Sequence, residues 1–130
     1  MSDARAVEFY EISDTRSVLD EIAGDLTDRQ MAAFVKAVGR LEKHGWALNG
    51  GYFTNVKTSK FKLREYRLTL DGVEYRVLFS EEPGESFVML RGYKEKRNDI
   101  PKAAIDSAEE RLKAWRAKHA RAAPTGRRKP

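Results

Sequence analysis

The sequence contains no cysteine, so neither a disulfide framework nor a thiolate-metal scaffold can hold it. It has two histidines, His44 and His119, far apart and without clustered carboxylates beside them. No metal site and no other cofactor are therefore expected, and charge complementarity at helix ends accounts for both residues. No apolar run approaches the roughly 20 residues needed to cross a bilayer. The opening MSDARAVEFYE lacks the basic-then-apolar layout of a secretory signal. A soluble, cytoplasmic chain with no membrane partner is the expectation. Gly50-Gly51 is not followed by Lys-Ser/Thr and a helix, which excludes a phosphate loop, and no Ser-His-Asp arrangement can be assembled.

The chain has 130 residues, 41% of them hydrophobic and 35% charged, which suits one compact domain. Residues 1–120 are expected to form it, with 121–130 a basic, disordered tail. The net charge of +5 is unevenly spread: residues 1–30 carry three bases against eight acids, whereas Lys113 to Pro130 holds seven bases and no acid. A basic body of this kind suits a polyanionic partner such as nucleic acid, and a merely solubilising surface is the competing explanation.

Val7 to Ile12 alternates as a short strand. Asp14 or Thr15 can cap a helix with Val18, Leu19, Ile22 and Leu26 on one stripe and Gly24 as its stop or kink. Thr27-Asp28-Arg29-Gln30 matches a capping box flanked by the Leu26 and Met31 staple. The helix it opens carries Met31, Phe34, Val35, Val38 and Leu41 on one stripe and ends at His44-Gly45. Positions 45–61 show no clean period and read as a loop with a basic end at Lys57, Lys60 and Lys62. A final helix begins near Pro101, capped by Asp99 or Ile100, and buries Ala104, Ile105, Ala108, Leu112 and Trp115.

The densest pattern is Lys62 to Phe79, two alternating runs joined by Asp71-Gly72. That dipeptide marks a type I′ turn, because both of its residues need positive φ. With Leu70 and Val73 closing the turn, Arg67 faces Arg76 and Glu65 faces Leu78. Tyr66, Leu68, Leu70, Val73, Tyr75, Val77 and Phe79 then share the core face. Ser86 to Gly92 forms a third strand after a turn at 81–84, placing Met89 opposite Arg76 and Arg91 opposite Glu74. The expected order is β-α-α-β-β-β-α: an α+β domain with a central antiparallel sheet packed by helices on one face. The charged face is then an open platform. Arg67 and Arg76 abreast would repel unless Glu65 and Glu74 or a bound anion neutralise them. Arg91 and Tyr93 add a third guanidinium and a phenol, and Lys94, Lys96 and Arg97 form a rim. An outer surface laced with exposed ion pairs is the alternative.

Leu63 to Phe79, the run Met89-Leu90-Arg91-Gly92-Tyr93-Lys94-Glu95-Lys96 and the stretch from Pro101 onward resemble the RelE/ParE toxin superfamily, specifically the phage-derived RelE-like group that includes HigB toxins. Glu65-Tyr66-Arg67 stands for the Glu-Leu-Arg strand of those proteins, Tyr75-Arg76-Val77-Leu78 for their Tyr-Arg-Val/Ile-Leu strand, and Leu90-Arg91-Gly92-Tyr93 for their Leu-His-Gly-Phe. The resemblance implies a compact RelE-like domain. It also implies a type II toxin that cleaves mRNA, usually on the ribosome and without metal, by attack of a ribose 2′-hydroxyl on the neighbouring phosphate. Carried over, Glu65 is the base, Arg67 and Arg76 the phosphate clamp, and Arg91 or Tyr93 the group nearest the leaving oxygen. Arg91 stands where many relatives have His. Lys57, Lys60, Lys62, Lys94, Lys96 and Arg97 would bind RNA, and a small helix-turn-helix antitoxin would be the protein partner. The alternative within the same fold is a protein that inhibits DNA gyrase or holds nucleic acid without cutting it.

Overall fold

A computed structural model describes residues 4–48, 52–57, 59–83, 86–96 and 99–122. In chain order the elements are β1 (Ala6–Phe9), β2 (Glu11–Ser13), β3 (Arg16–Ser17), α1 (Val18–Asp25), α2 (Asp28–His44), a single 3-10 turn (Gly45–Ala47), β4 (Phe53–Asn55), β5 (Arg64–Leu70), β6 (Val73–Glu82), β7 (Ser86–Lys94) and α3 (Lys102–Ala122). Five strands form one sheet in the order β1-β7-β6-β5-β4, and β2 and β3 make a separate small hairpin. The α+β class and the antiparallel run β7-β6-β5 are as expected, whereas β4 and the 3-10 turn fall in the stretch 45–61 that the sequence reads as a loop. β1, however, joins β7 in parallel, pairing Ala6 with Ser86 and Phe9 with Met89.

The local chemistry explains most boundaries. Ser17, rather than Asp14 or Thr15, caps α1, and its backbone N–H donates to the Asp20 carboxylate at 2.8 Å. The capping box at α2 is formed in both directions: the Gln30 N–H donates to Thr27 Oγ1 at 3.2 Å, and the Thr27 N–H to Gln30 Oε1 at 2.9 Å. Gly45 ends α2 at φ 52°, in the region that favours glycine. At the hairpin, Asp71 (φ 48°) and Gly72 (φ 88°) adopt the left-handed conformations of a type I′ turn. The resulting β5–β6 register pairs Leu70 with Val73, Arg67 with Arg76 and Glu65 with Leu78, as the sequence predicts.

Helices cover both faces of the sheet, which corrects the expectation of one. On the first face, Val18 and Ile22 of α1 and Phe34, Ala37 and Leu41 of α2 pack on Tyr66, Leu68, Tyr75, Val77 and Phe79. On the second, Ala104, Ala108 and Leu112 of α3 pack on Leu63, Leu78, Val88 and Leu90. The reason lies in the strands: Val77-Leu78-Phe79 and Phe87-Val88-Met89-Leu90 are apolar without alternation, and each run needs cover on both sides. Burying one such Leu or Phe contributes about 1.5–3 kcal/mol, more than an exposed platform could return. Arg111 locks α3 across the sheet end, donating to both carboxylate oxygens of Glu21 at 2.8 and 2.7 Å and to the Leu90 carbonyl at 2.8 Å.

The β6–β7 register also departs from expectation. Tyr93, not Met89, stands opposite Arg76; Arg91 faces Leu78, and the register shifts by one residue between Leu78 and Phe79. β6 runs further into the turn than a loop at 81–84 would allow, since Glu82 pairs with Ser86, whereas β7 begins at Ser86 as expected.

Candidate polyanion and catalytic site

The hairpin register sets Arg67 of β5 and Arg76 of β6 directly opposite each other, and the next pairing sets Tyr93 of β7 beside Arg76. The two arginines nevertheless occupy different environments. Arg76 is only 5% exposed, whereas Arg67 is exposed. Arg76 is surrounded by its own counter-charges: Nη1 lies 3.3 Å from Glu74 Oε1, Nε 3.8 Å from Glu65 Oε2, and Nη2 3.9 Å from Glu95 Oε1. The anion that the opposed guanidinium groups demand is thus supplied from within for one of them. Among the described residues, the Arg67 side chain has no carboxylate within ion-pair distance. Arg67 is therefore the member of the pair left to meet a ligand.

Glu65 is 7% exposed and accepts a hydrogen bond from the Tyr93 hydroxyl at 2.6 Å. Burial, followed by that bond and by the charge of Glu65, pushes the Tyr93 phenol far above its ordinary range. A phenol held in this way donates a hydrogen bond and retains its proton. Both Tyr93 and Arg76 act on Oε2 of Glu65, so Oε1 is the oxygen left for a substrate hydroxyl. The Glu74 carboxyl is held below its usual range by the hydrogen bonds from Thr69 (2.8 Å) and Arg76. A cavity of about 390 Å³ opens over Glu65, Arg67 and Arg76, walled by Thr54, Glu95, Asp99 and Ile100 where the chain turns into α3.

Arg91 lies apart from this group. It is half-buried, with Nη1 3.8 Å from Glu21 Oε1 and a buried Nε that has no hydrogen-bond partner among the described residues. It lines a neighbouring cavity with Tyr93, Lys94, Lys96, Asp25 and Asp99. Tyr93, which lines that cavity and bonds Glu65, joins the two groups. The loop lysines Lys57, Lys60 and Lys62 are exposed, and Lys60 shares a cavity with Asp106, Glu109 and Glu110 of α3 rather than with Arg67. Arg97 lies outside the described residues, as do 123–130 of the tail.

Sequence reasoning did not single out Glu95, the third carboxylate on Arg76, nor Tyr52, Lys36 and Arg40, which share a cavity with Arg67. The last two were legible only as bases off the apolar stripe of α2. Among the described residues no cluster of His, Asp and Glu is arranged to hold a metal ion, and no helix is long and apolar enough to cross a membrane.

These features define a small α+β domain whose central hairpin carries a carboxylate-caged arginine beside an unpaired one. Residues 23–113 match the family described as Phage derived protein Gp49-like (DUF891), and the chain belongs to that phage-derived family. The matched span contains all five residues of the predicted catalytic constellation. No curated protein matches the chain.

Proposed function

We propose that this protein is the toxin of a type II toxin-antitoxin pair and acts as a metal-independent, ribosome-dependent mRNA endoribonuclease that inhibits translation. Membership of a phage-derived family and the order of the RelE-like motifs support the reading. The observation that carries it is the unpaired, exposed Arg67 set directly opposite the caged Arg76, above the Glu65–Tyr93 hydrogen bond.

In this mechanism Glu65 takes the proton of the ribose 2′-hydroxyl through Oε1, while Tyr93 and Arg76 fix its other oxygen. The 2′-oxygen attacks the adjacent phosphorus and the bond to the 5′-oxygen breaks; that oxygen takes a proton from water, leaving a 2′,3′-cyclic phosphate and a 5′-hydroxyl. Arg67 balances the charge that builds on the phosphate oxygens. Arg91 contributes the charge of its guanidinium group from the neighbouring cavity. The inhibitory partner is a small helix-turn-helix antitoxin.

Arg67→Ala is the informative variant, because its side chain is exposed and its loss leaves no carboxylate unpaired. Expression of the unaltered chain should arrest translation and yield transcripts with new 5′-hydroxyl ends, and Arg67→Ala should lower cleavage by about 10²-fold or more. Growth arrest without new ends, accompanied by loss of DNA supercoiling, would assign the protein to gyrase instead. Unimpaired growth would remove the toxin reading altogether.

A further inference from the structure

The cations of this protein are not distributed evenly among its cavities. The cavity over Glu65 and Arg76 is walled by two arginines and three acids, and that beside Arg91 by three bases and two acids. The Lys60 cavity holds two bases and three acids. A further cavity, about 380 Å³, lies between α2 and the outer edge of β5. It gathers Lys36, Arg40, Arg67 and Arg76 against Glu74 alone. Glu74 is itself committed, with Oε2 accepting from Thr69 and Oε1 from Arg76. Among the described residues Lys36, Arg40 and Arg67 have no ion pair. Three uncompensated cations thus converge where β4 no longer covers β5: β4 pairs only with Arg64 to Tyr66, and beyond it the Arg67 N–H donates to the Tyr52 carbonyl at 2.7 Å.

We propose that this cavity binds the nucleotide adjoining the scissile linkage. Its phosphate lies on Lys36 and Arg40, and its base lies against Tyr52. The proposal rests on the ribonuclease reading and deepens it by giving the RNA a direction. From Arg67 the strand crosses the outer edge of β5 toward α2, rather than running along the loop lysines toward α3. The volume falls within the roughly 300–1,000 Å³ usual for small-ligand sites, which suits a nucleotide better than a bare ion. An aromatic ring among cations is the usual composition of a single-strand groove, because stacking tolerates any base while the cations track the backbone.

The test uses the full chain and a fluorescein-labelled 2′-O-methyl hexaribonucleotide, which lacks the attacking hydroxyl. Binding is followed by anisotropy across a salt series. Lys36→Ala/Arg40→Ala should weaken binding at least tenfold at about 0.1 M salt. It should also reduce the slope of log affinity against log salt by about 0.7, the value for one phosphate contact on a single strand. Lys43→Ala/Lys113→Ala, an equal charge change elsewhere, should bind as the unaltered chain does. Tyr52→Leu should narrow the difference between this probe and its abasic counterpart. If the α2 double variant binds as tightly as the unaltered chain, the subsite is wrong while the ribonuclease reading stands. If the unaltered chain does not bind the probe at all, the subsite falls, while the ribonuclease reading stands or falls on the mapped 5′-hydroxyl ends.

Discussion

Gly92→Ala tests how closely β7 packs against Tyr75 and α1. Gly92 faces Val77 in the sheet, and a Cβ built there would lie 2.6 Å from Tyr75 Oη and 2.9 Å from both Tyr75 Cε2 and Ile22 Cγ1. Carbon contacts are most favourable at about 3.5–4.0 Å, so an added methyl must push these groups roughly half an ångström or more. Neither neighbour can yield cheaply. Tyr75 and Ile22 are fully buried, and the Tyr75 hydroxyl donates to Asp25 at 2.8 Å. Overpacking of this kind costs about 1–3 kcal/mol, which for a domain of this length lowers Tm by roughly 3 to 15 °C. Gly39→Ala is the internal contrast. It lies within α2 with nothing within 4 Å of the added Cβ, and should raise stability by about 0.5–1 kcal/mol. Urea titration and calorimetry read both. Tyr75→Phe removes the nearest atom, so Gly92→Ala should cost less in that background, a coupling of at least about 0.5 kcal/mol. A Gly92→Ala protein within 0.5 kcal/mol of the original, or an equal cost in both backgrounds, would refute the packing argument (the threshold being about the error of such cycles).

Two further outcomes follow from the polar contacts. Tyr93→Phe removes the only hydroxyl donor to the buried Glu65 carboxylate among the described residues and should destabilise the protein by about 1.5–3 kcal/mol in urea titrations; an unchanged midpoint would show that this carboxylate does not depend on the phenol. Hydrogen bonds from Arg111 chiefly hold the Glu21 carboxyl below its ordinary value of 4.5, against the opposing effect of burial and with help from the charges of Arg111, Arg91 and Arg16. A depressed folded value stabilises fully above the unfolded one and is lost as pH falls through the folded one. The stability gap between the unaltered chain and Glu21→Gln should therefore be widest near neutrality and close below about pH 4.5, whereas a gap constant from neutral to acid would contradict the pairing.

Features encoded within a few residues were legible in the sequence. Asp71-Gly72 fixed the turn, and the turn fixed which side chains of β5 and β6 oppose each other, including Arg67 and Arg76. Thr27 and Gln30 marked the start of α2, and the spacing of Ala104, Ala108 and Leu112 marked the buried stripe of α3. Features that depend on distant partners were not legible. The parallel seat of β1 on β7 has no turn to announce it, and β4 is three residues long within a glycine-rich stretch. The cover on the second face was signalled by unbroken apolar runs in β6 and β7, a pattern that competes with simple alternation. For the candidate site, the sequence grouped Glu65, Arg67, Arg76, Arg91 and Tyr93; its β6–β7 register set Met89 rather than Tyr93 opposite Arg76, and Arg91 lies apart from the others. The sequence could not show that Arg76 is buried among carboxylates while Arg67 is not, because Glu95 reaches Arg76 from the chain beyond β7.

The seating of β1 on β7 bears on how the molecule comes into being. Ala6 to Phe9 leave the ribosome early, yet their hydrogen-bonding partners, Ser86 to Met89, are among the later parts of the sheet to be synthesised. The β5–β6 hairpin can close as soon as its turn emerges, but the first strand must wait for the rest of the sheet, and such long-range pairing is the slow part of a folding reaction. Tyr93 is made later still, so a nascent chain carries its arginine pair before it has the phenol that steadies Glu65. Assembly of the Glu65–Arg76–Tyr93 cluster is thereby tied to the synthesis of β7.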